Sequence, residues 1–305
     1  MRRVLKWGGG LVSALVLLLA ALLLWGMGPG NIGRMILGVG IVYDADAPKL
    51  PDFNAPTILI FSKTNGFRDS AQIDAANSAL EKLAKDKGWS TYTTQNAAVF
   101  NGAQLSQFRA VVWNSVSGDV LTVGQRAAFR TWLESGGGYV GLHGAGGDPS
   151  YKWRWYADEL IGAQFIGHTL SPHIQRGRLI VEDHTHPATR GLGAEWIRND
   201  EWYSFDKSPR AKGYLILVTL DETSYAPRLR FPLVIDKDIS MGKDHPMVWA
   251  HCVRNGSAFY SALGHQAGAY SESRHLAMIS GAISWAAGFE GPKCAGGREI
   301  LRSNG

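Results

Sequence analysis

The sequence predicts an α/β protein built on a doubly wound, mostly parallel sheet, preceded by one N-terminal transmembrane helix. Three observations carry this expectation. From Thr57 to Leu142, short apolar runs alternate with apolar positions at helical spacing, the rhythm of strand–helix–strand units that pair in parallel. The stretch GGGYVGLHGAGG at 136–147 has the form of a strand delivering one side chain, His143, at a tight turn. Finally, Gly8 to Gly28 holds no charged residue; at ~1.5 Å per helical residue, that run is about long enough to cross a hydrocarbon core.

Arg2, Arg3 and Lys6 stand in front of the uncharged run. Positive charge there leaves the N-terminus in the cytoplasm and exports the rest of the chain. A cleaved signal peptide shares the basic start and apolar middle, but WGMGPGN after the run offers no A-x-A-like site. The expected organisation is therefore an anchor or signal segment over 1–28, a Gly/Pro-punctuated connector over 29–55, an α/β domain over 56–288, and a flexible tail over 289–305. The domain would be membrane-anchored on the non-cytoplasmic side.

Within the domain, TILIF (57–61) is a continuous apolar run of buried-strand type. Ile73, Ala76, Leu80 and Leu83 follow at helical spacing, with Gly88 as the stop. STYTT (90–94) and RAVVW (109–113) are the next strands. Thr122 and Gln125 form a capping box ahead of Ala128, Phe129, Trp132 and Leu133, and YVGL closes the regular half. Beyond it, a helix carries Trp153, Tyr156 and Leu160. Strands are expected at GRLIVED (177–183), YLILVTL (214–220), FPLVI (231–235), PMVWA (246–250) and SAFYSAL (257–263), and a last helix at Leu276, Ile279, Ile283 and Ala286.

Composition narrows the function. A chain of 305 residues with 45% hydrophobic content can fill a large core. Three of the positive charges behind its net +5 flank the uncharged run, and no basic stripe interleaved with aromatics remains; nucleic acid is excluded as a partner. Cys252 and Cys294, the two cysteines, are too few for a disulfide framework or a thiolate zinc site. Cys252 reads most simply as a core residue, and a bridge between the two fits an oxidising compartment without local support.

In an open parallel sheet, ligands bind outside the carboxyl ends of the strands. His143 leaves YVGL directly, His265 leaves a buried strand in ALGHQ, and His168 follows the helix of Trp153 in FIGH. NDEWYSF gathers Asp200, Glu201 and Tyr203. Each taken alone is equally well a turn histidine, a helix-end cap or a solvated corner. His184 and His186 in DHTHP have metal-like spacing but read better as a polar turn beside a proline. His173, His251 and His275 lack a carboxylate context and read as structural or exposed. Trp153, Trp155, Tyr156, Trp202 and Tyr203 could stack on sugar faces, though such aromatics are more often core.

FSKTNGFR, GGGYVGLHGA, WYADELIGAQFIGH, HPATRGL, NDEWYSF, HPMVWAH and FYSALGHQ occur in this order over about residues 57–287, and in this they resemble the ThuA-like (trehalose utilisation) family. The resemblance implies a flavodoxin-like fold, similar to that of class I glutamine amidotransferases, and a role in carbohydrate metabolism. It marks His143, His168, Asp200, Glu201, Tyr203, His245 and His265 as the matching polar positions. Where family members carry a histidine after GFR, this chain has Asp69, which leaves the site altered. With histidine at the elbow and no G-x-S-x-G, amidotransferase and serine hydrolase chemistry are excluded.

The leading expectation is an enzyme acting on a sugar or oxidised sugar derivative. His143, Glu201 and His265 would be catalytic. Trp153, Tyr156, Asp200, Tyr203, His245, Phe67 and Arg68 would bind the small-molecule carbohydrate. Two mechanisms fit: proton exchange between imidazole, carboxylate and sugar, or a divalent metal such as zinc held by His143, His168 and His265. A non-catalytic carbohydrate-binding or scaffold module is the reading from a different class.

Overall fold

The computed structural model describes residues 27–149, 151–231 and 233–299. β1 (Thr57–Phe61) is buried along its whole length. α1 (Ser70–Asp86) starts where the Asp69 carboxylate accepts the Gln72 N–H at 3.1 Å, and it turns Ile73, Ala76, Leu80 and Ala84 inward, one apolar stripe at helical period. β2 (Ser90–Thr94) and β3 (Ala110–Asn114) follow. The expected capping box of Thr122 and Gln125 opens α2 (Val123–Glu134), and β4 (Gly138–Leu142) ends the regular half.

The second half comprises β5 (Phe165–His168), β6 (Gln175–Val181), β7 (Glu195–Asp200), β8 (Tyr203–Phe205), β9 (Leu215–Asp221), β10 (Arg228–Phe231), β11 (Ile235–Asp238), β12 (Pro246–Val253), β13 (Gly256–Ser261) and α3 (Ser273–Ala286). The main sheet runs β2-β1-β3-β4-β13-β12-β9-β6-β7. Its first five strands are parallel to one another. From β13 onward the pairing is antiparallel, so the parallel centre carries an antiparallel wing. β5 and β8 pair separately, beside that sheet.

Consecutive residues of a strand face opposite sides, and β4 shows what covers each side. Tyr139 meets Phe129 of α2 with ring centroids 6.1 Å apart. At Gly138, a Cβ would lie 2.2 Å from the Ala286 carbonyl oxygen of α3. The sheet is therefore wound with helices on both faces.

Four expectations need correction. The transmembrane helix falls almost wholly on residues outside the described ones, and among the described residues no helix is long and apolar enough to cross a membrane. The segments Pro29–Ile32 and Gly33–Leu37 have four and five residues. The transmembrane element is accordingly withdrawn from the fold. The run FPLVI is no single strand: it spans the turn of the β10–β11 hairpin, where Leu233 takes φ 64° at 94% exposure. Apolar character alone could not reveal that turn. The helix expected over Trp153–Leu160 is a wide helical turn over Tyr156–Ile161. The tail is tied down as far as Cys294, which is buried and disulfide-bonded to Cys252.

The connector is ordered as well. Asn31 Nδ2 donates to the Arg68 carbonyl at 3.0 Å, Arg34 Nε donates to that of Gly66 at 2.8 Å, and Tyr43 Oη donates to Asp119 at 3.0 Å. It thus straps the loops that leave β1 and β3 at their carboxyl ends.

Candidate functional site

At the end of β4, Leu142 is still extended and His143 turns into the left-handed region, φ 46°, which non-glycine residues rarely occupy. Neighbouring groups hold the strained turn. Tyr260 Oη donates to the His143 carbonyl at 2.9 Å, and the His143 Nδ1–H donates to the Ala262 carbonyl at 3.0 Å. The small residues after the turn are required by contact: a Cβ on Gly147 would fall 2.7 Å from Tyr203 Oη. With Nδ1 committed to that carbonyl, Nε2 is the ring nitrogen that points into the site.

That nitrogen faces Glu201, which is 4% exposed and follows the end of β7. Glu201 Oε2 lies 3.2 Å from His143 Nε2 and 3.4 Å from His265 Nδ1, and these two nitrogens are 3.3 Å apart. The other carboxylate oxygen, Oε1, faces a different pair. His168 Nδ1 is 3.0 Å away, and His173 Nε2 is hydrogen-bonded to it. Tyr203 Oη, 3.1 Å from His143 Nε2, closes one side. β5–β8 pairing sets His168 opposite Tyr203, which places the fourth wall.

The charges follow from this packing. Burial opposes ionisation of Glu201, but hydrogen bonds from His143, His168 and His173 hold its carboxyl well below the usual range. Burial likewise opposes a charged His143 or His168, and the Glu201 carboxylate outweighs it, so both are raised. His265 goes the other way, lowered by burial and by the neighbouring imidazoles despite Glu201. The centre is one buried anion flanked by four imidazoles, two on each carboxylate oxygen.

Beneath the centre lies a support layer. Asp200 is fully buried and accepts the N–H groups of Glu201 (3.0 Å), Gly264 (2.8 Å) and His265 (3.1 Å), with Arg198 Nη2 at 3.2 Å. His245, also fully buried, lies between Glu222 Oε1 at 2.7 Å and the Tyr203 carbonyl at 2.7 Å. Both were expected to touch substrate, and both instead have all their polar atoms turned to the protein.

Of the expected site residues, His143, Glu201, His265, His168 and Tyr203 come together. The expected metal set of His143, His168 and His265 does not converge on one point, because His168 lies on the opposite carboxylate oxygen. Tyr156 is core, its hydroxyl bonded to Tyr139 Oη and the Ala145 carbonyl. Trp153 packs against Phe129 and Arg126 of α2. Arg68 spends its side chain on the Ser62 carbonyl at 3.0 Å and Ser70 Oγ at 3.2 Å, beside a half-exposed Phe67. Asp69 caps α1, and its charge reaches His265.

His173, read from sequence as structural or exposed, belongs to the centre. The chain folds back at Ser171–Pro172 and brings its ring to 5.3 Å from that of His168. Two histidines flanking a proline turn were the available signal. His186 keeps the polar-turn role expected of DHTHP: it is buried, its Nδ1 accepts the Ala188 N–H at 3.1 Å, and Asp183 caps the turn.

A doubly wound α/β sheet, a left-handed elbow at the end of β4 and a buried histidine–carboxylate centre define a flavodoxin-like protein in which histidine stands where related architectures carry a nucleophile. Both cysteines are locked in the Cys252–Cys294 disulfide, so no thiolate serves the elbow. The chain belongs to the ThuA family, described as trehalose utilisation, whose model matches residues 57–286. Membership gives it a carbohydrate-related role. Two solved structures share the fold. A ThuA-like protein from Bacteroides uniformis is 24% identical with TM-score 0.63, covering 79% of this chain and 95% of its own. One from Parabacteroides merdae is 18% identical with TM-score 0.58, covering 82% and 100%. No curated protein matches the sequence.

Proposed function

We propose that this protein is a carbohydrate-active enzyme whose chemistry runs at Glu201, with a divalent cation such as zinc held by His143, His265 and Glu201. One observation carries the metal. The three donor atoms form a triangle with edges of 3.2–3.4 Å. A tetrahedral ion with bonds of about 2.1 Å spaces its ligands about 3.4 Å apart. The ligand inventory agrees, since the His143 Nδ1–H is already committed to a carbonyl, the usual arrangement behind a metal-bound imidazole. Such an ion polarises a sugar carbonyl or hydroxyl, or activates water.

The chain's own groups supply the rest. Glu201 stays ionised at neutral pH, as an anionic ligand must, and the Tyr203 phenol, raised well above its usual value by burial, stays neutral as a donor beside the bound sugar. A sugar or oxidised sugar derivative of the trehalose type is the substrate class that family membership favours. A site outside the reducing cytoplasm is supported by the Cys252–Cys294 disulfide.

Zinc content and turnover of the full chain on disaccharides and their keto derivatives, with and without chelator, test the reading. Bound zinc and chelator-sensitive turnover are expected. No bound zinc with chelator-insensitive turnover would leave His143–Glu201 proton exchange as the mechanism. Sugar binding without turnover, in wild type and in His143→Ala alike, would make the protein a binding module.

A further inference from the structure

From the division of four histidines between the two oxygens of Glu201, we infer that the centre is built for two cations, bridged by that carboxylate. This rests on the metal reading above and adds the second ion. His143 and His265 address Oε2, whereas His168 and His173 address Oε1. One donor atom from each of His143, Glu201 and His265 lies within 4.8 Å of the others, and the same holds separately for His168, His173 and Glu201. Glu201 is common to both sets, and no other residue is. One ion would satisfy one pair and leave two imidazoles aimed at a carboxylate oxygen it does not use. A carboxylate bridging through both oxygens suits the ~3.5–4 Å separation of two-metal sites.

The two positions differ. In the first, the side chains of His143, Glu201 and His265 are 6%, 5% and 17% exposed, and the donor triangle is tight. In the second, His168 and His173 are 29% and 40% exposed. His168 Nδ1 also lies 2.8 Å from the Thr169 carbonyl, so a proton or that carbonyl competes with an ion for it. The outer ion is thus the weaker, faster-exchanging one and the one open to solvent.

The test is metal stoichiometry on the full chain, dialysed against zinc chloride and read by elemental analysis. It is paired with a cobalt(II) titration followed by visible absorption. Wild type should bind about two ions, in two phases, and brief chelator treatment should remove one before the other. His173→Ala, at a side chain 40% exposed, should still fold, as circular dichroism checks, and bind about one ion, losing the weaker phase. Glu201→Gln should weaken both phases. Wild type saturating at one ion, with His173→Ala unchanged, would overturn the second position and leave the one-ion reading standing. No uptake of zinc or cobalt by wild type would overturn both.

Discussion

Asp200→Ala separates a supporting carboxylate from a substrate-binding one. The wild-type carboxylate is fully buried and accepts three backbone N–H groups at 2.8–3.1 Å, two of them on the loop that carries His265. It is also an ion partner of Arg198, whose side chain is 5% exposed. A hydrogen bond to a charged acceptor contributes about 1.5–3 kcal/mol, and stranding one member of a buried ion pair costs about 3–5 kcal/mol. These terms overlap, because one desolvated carboxylate underlies them all. Arg198 also keeps Glu272 at 3.5 Å. The expected loss is therefore about 4 kcal/mol rather than their sum. Urea unfolding at neutral pH should show it as a lower midpoint with an unchanged slope. Asp200→Asn, which keeps the shape but turns amide hydrogens toward N–H donors, should fall between. Zinc affinity should drop together with stability, by about 10–100-fold, the scale seen for residues that orient metal ligands. An Asp200→Ala protein within ~1 kcal/mol of wild type, with weakened sugar binding only, would refute the support role and restore the substrate role.

Three further outcomes are expected. Cys294→Ala opens a disulfide closing a 42-residue separation and should cost about 4 kcal/mol, visible as a melting temperature lowered by ~10 °C, and reduction of wild type should give the same shift. His186 and His251 are buried and held down to about 4, chiefly by burial. Their contribution is whole above the unfolded value near 6.5 and is lost as the pH falls toward 4, by about 2 kcal/mol per histidine between pH 7 and 5. His251→Gln should therefore flatten the acid limb of stability measured by urea titration, and an equally steep limb would count against a neutral buried His251. At the elbow, His143→Gly should be more stable than His143→Ala by about 1 kcal/mol, because only glycine relaxes at φ 46°; equal melting temperatures would mean that the turn carries no strain.

The parallel half of the fold was legible because its signals are local. TILIF, the Ile73–Leu83 period and the Thr122–Gln125 box each lie within one element and match β1, α1 and α2. The antiparallel wing was not, because partners far apart in sequence decide it: β9 pairs with both β12 and β6, and FPLVI looks like a strand until its flanks RLR and DKD pair across it. The disulfide was hidden for the same reason, since its two cysteines stand in unrelated local contexts.

The site divides along the same line. Topology alone sends His143 to the carboxyl edge of the sheet, because a residue that ends a parallel strand is there by construction. Whether a polar residue lies in the centre or under it depends on where neighbouring backbone points, and composition cannot express that. Asp200 and Glu201 are adjacent and chemically alike, yet consecutive residues leave β7 in opposite directions. One carboxylate goes to three amides, the other to four imidazoles. The two depend on each other, since the buried Asp200 fixes the His265 loop so that the imidazole reaches Glu201. A charge turned wholly to the protein can then set the position of one at the heart of the centre. On that reasoning, substituting Asp200, His143 or His265 should weaken binding of the inner zinc alike, while only Asp200 also costs about 4 kcal/mol of stability.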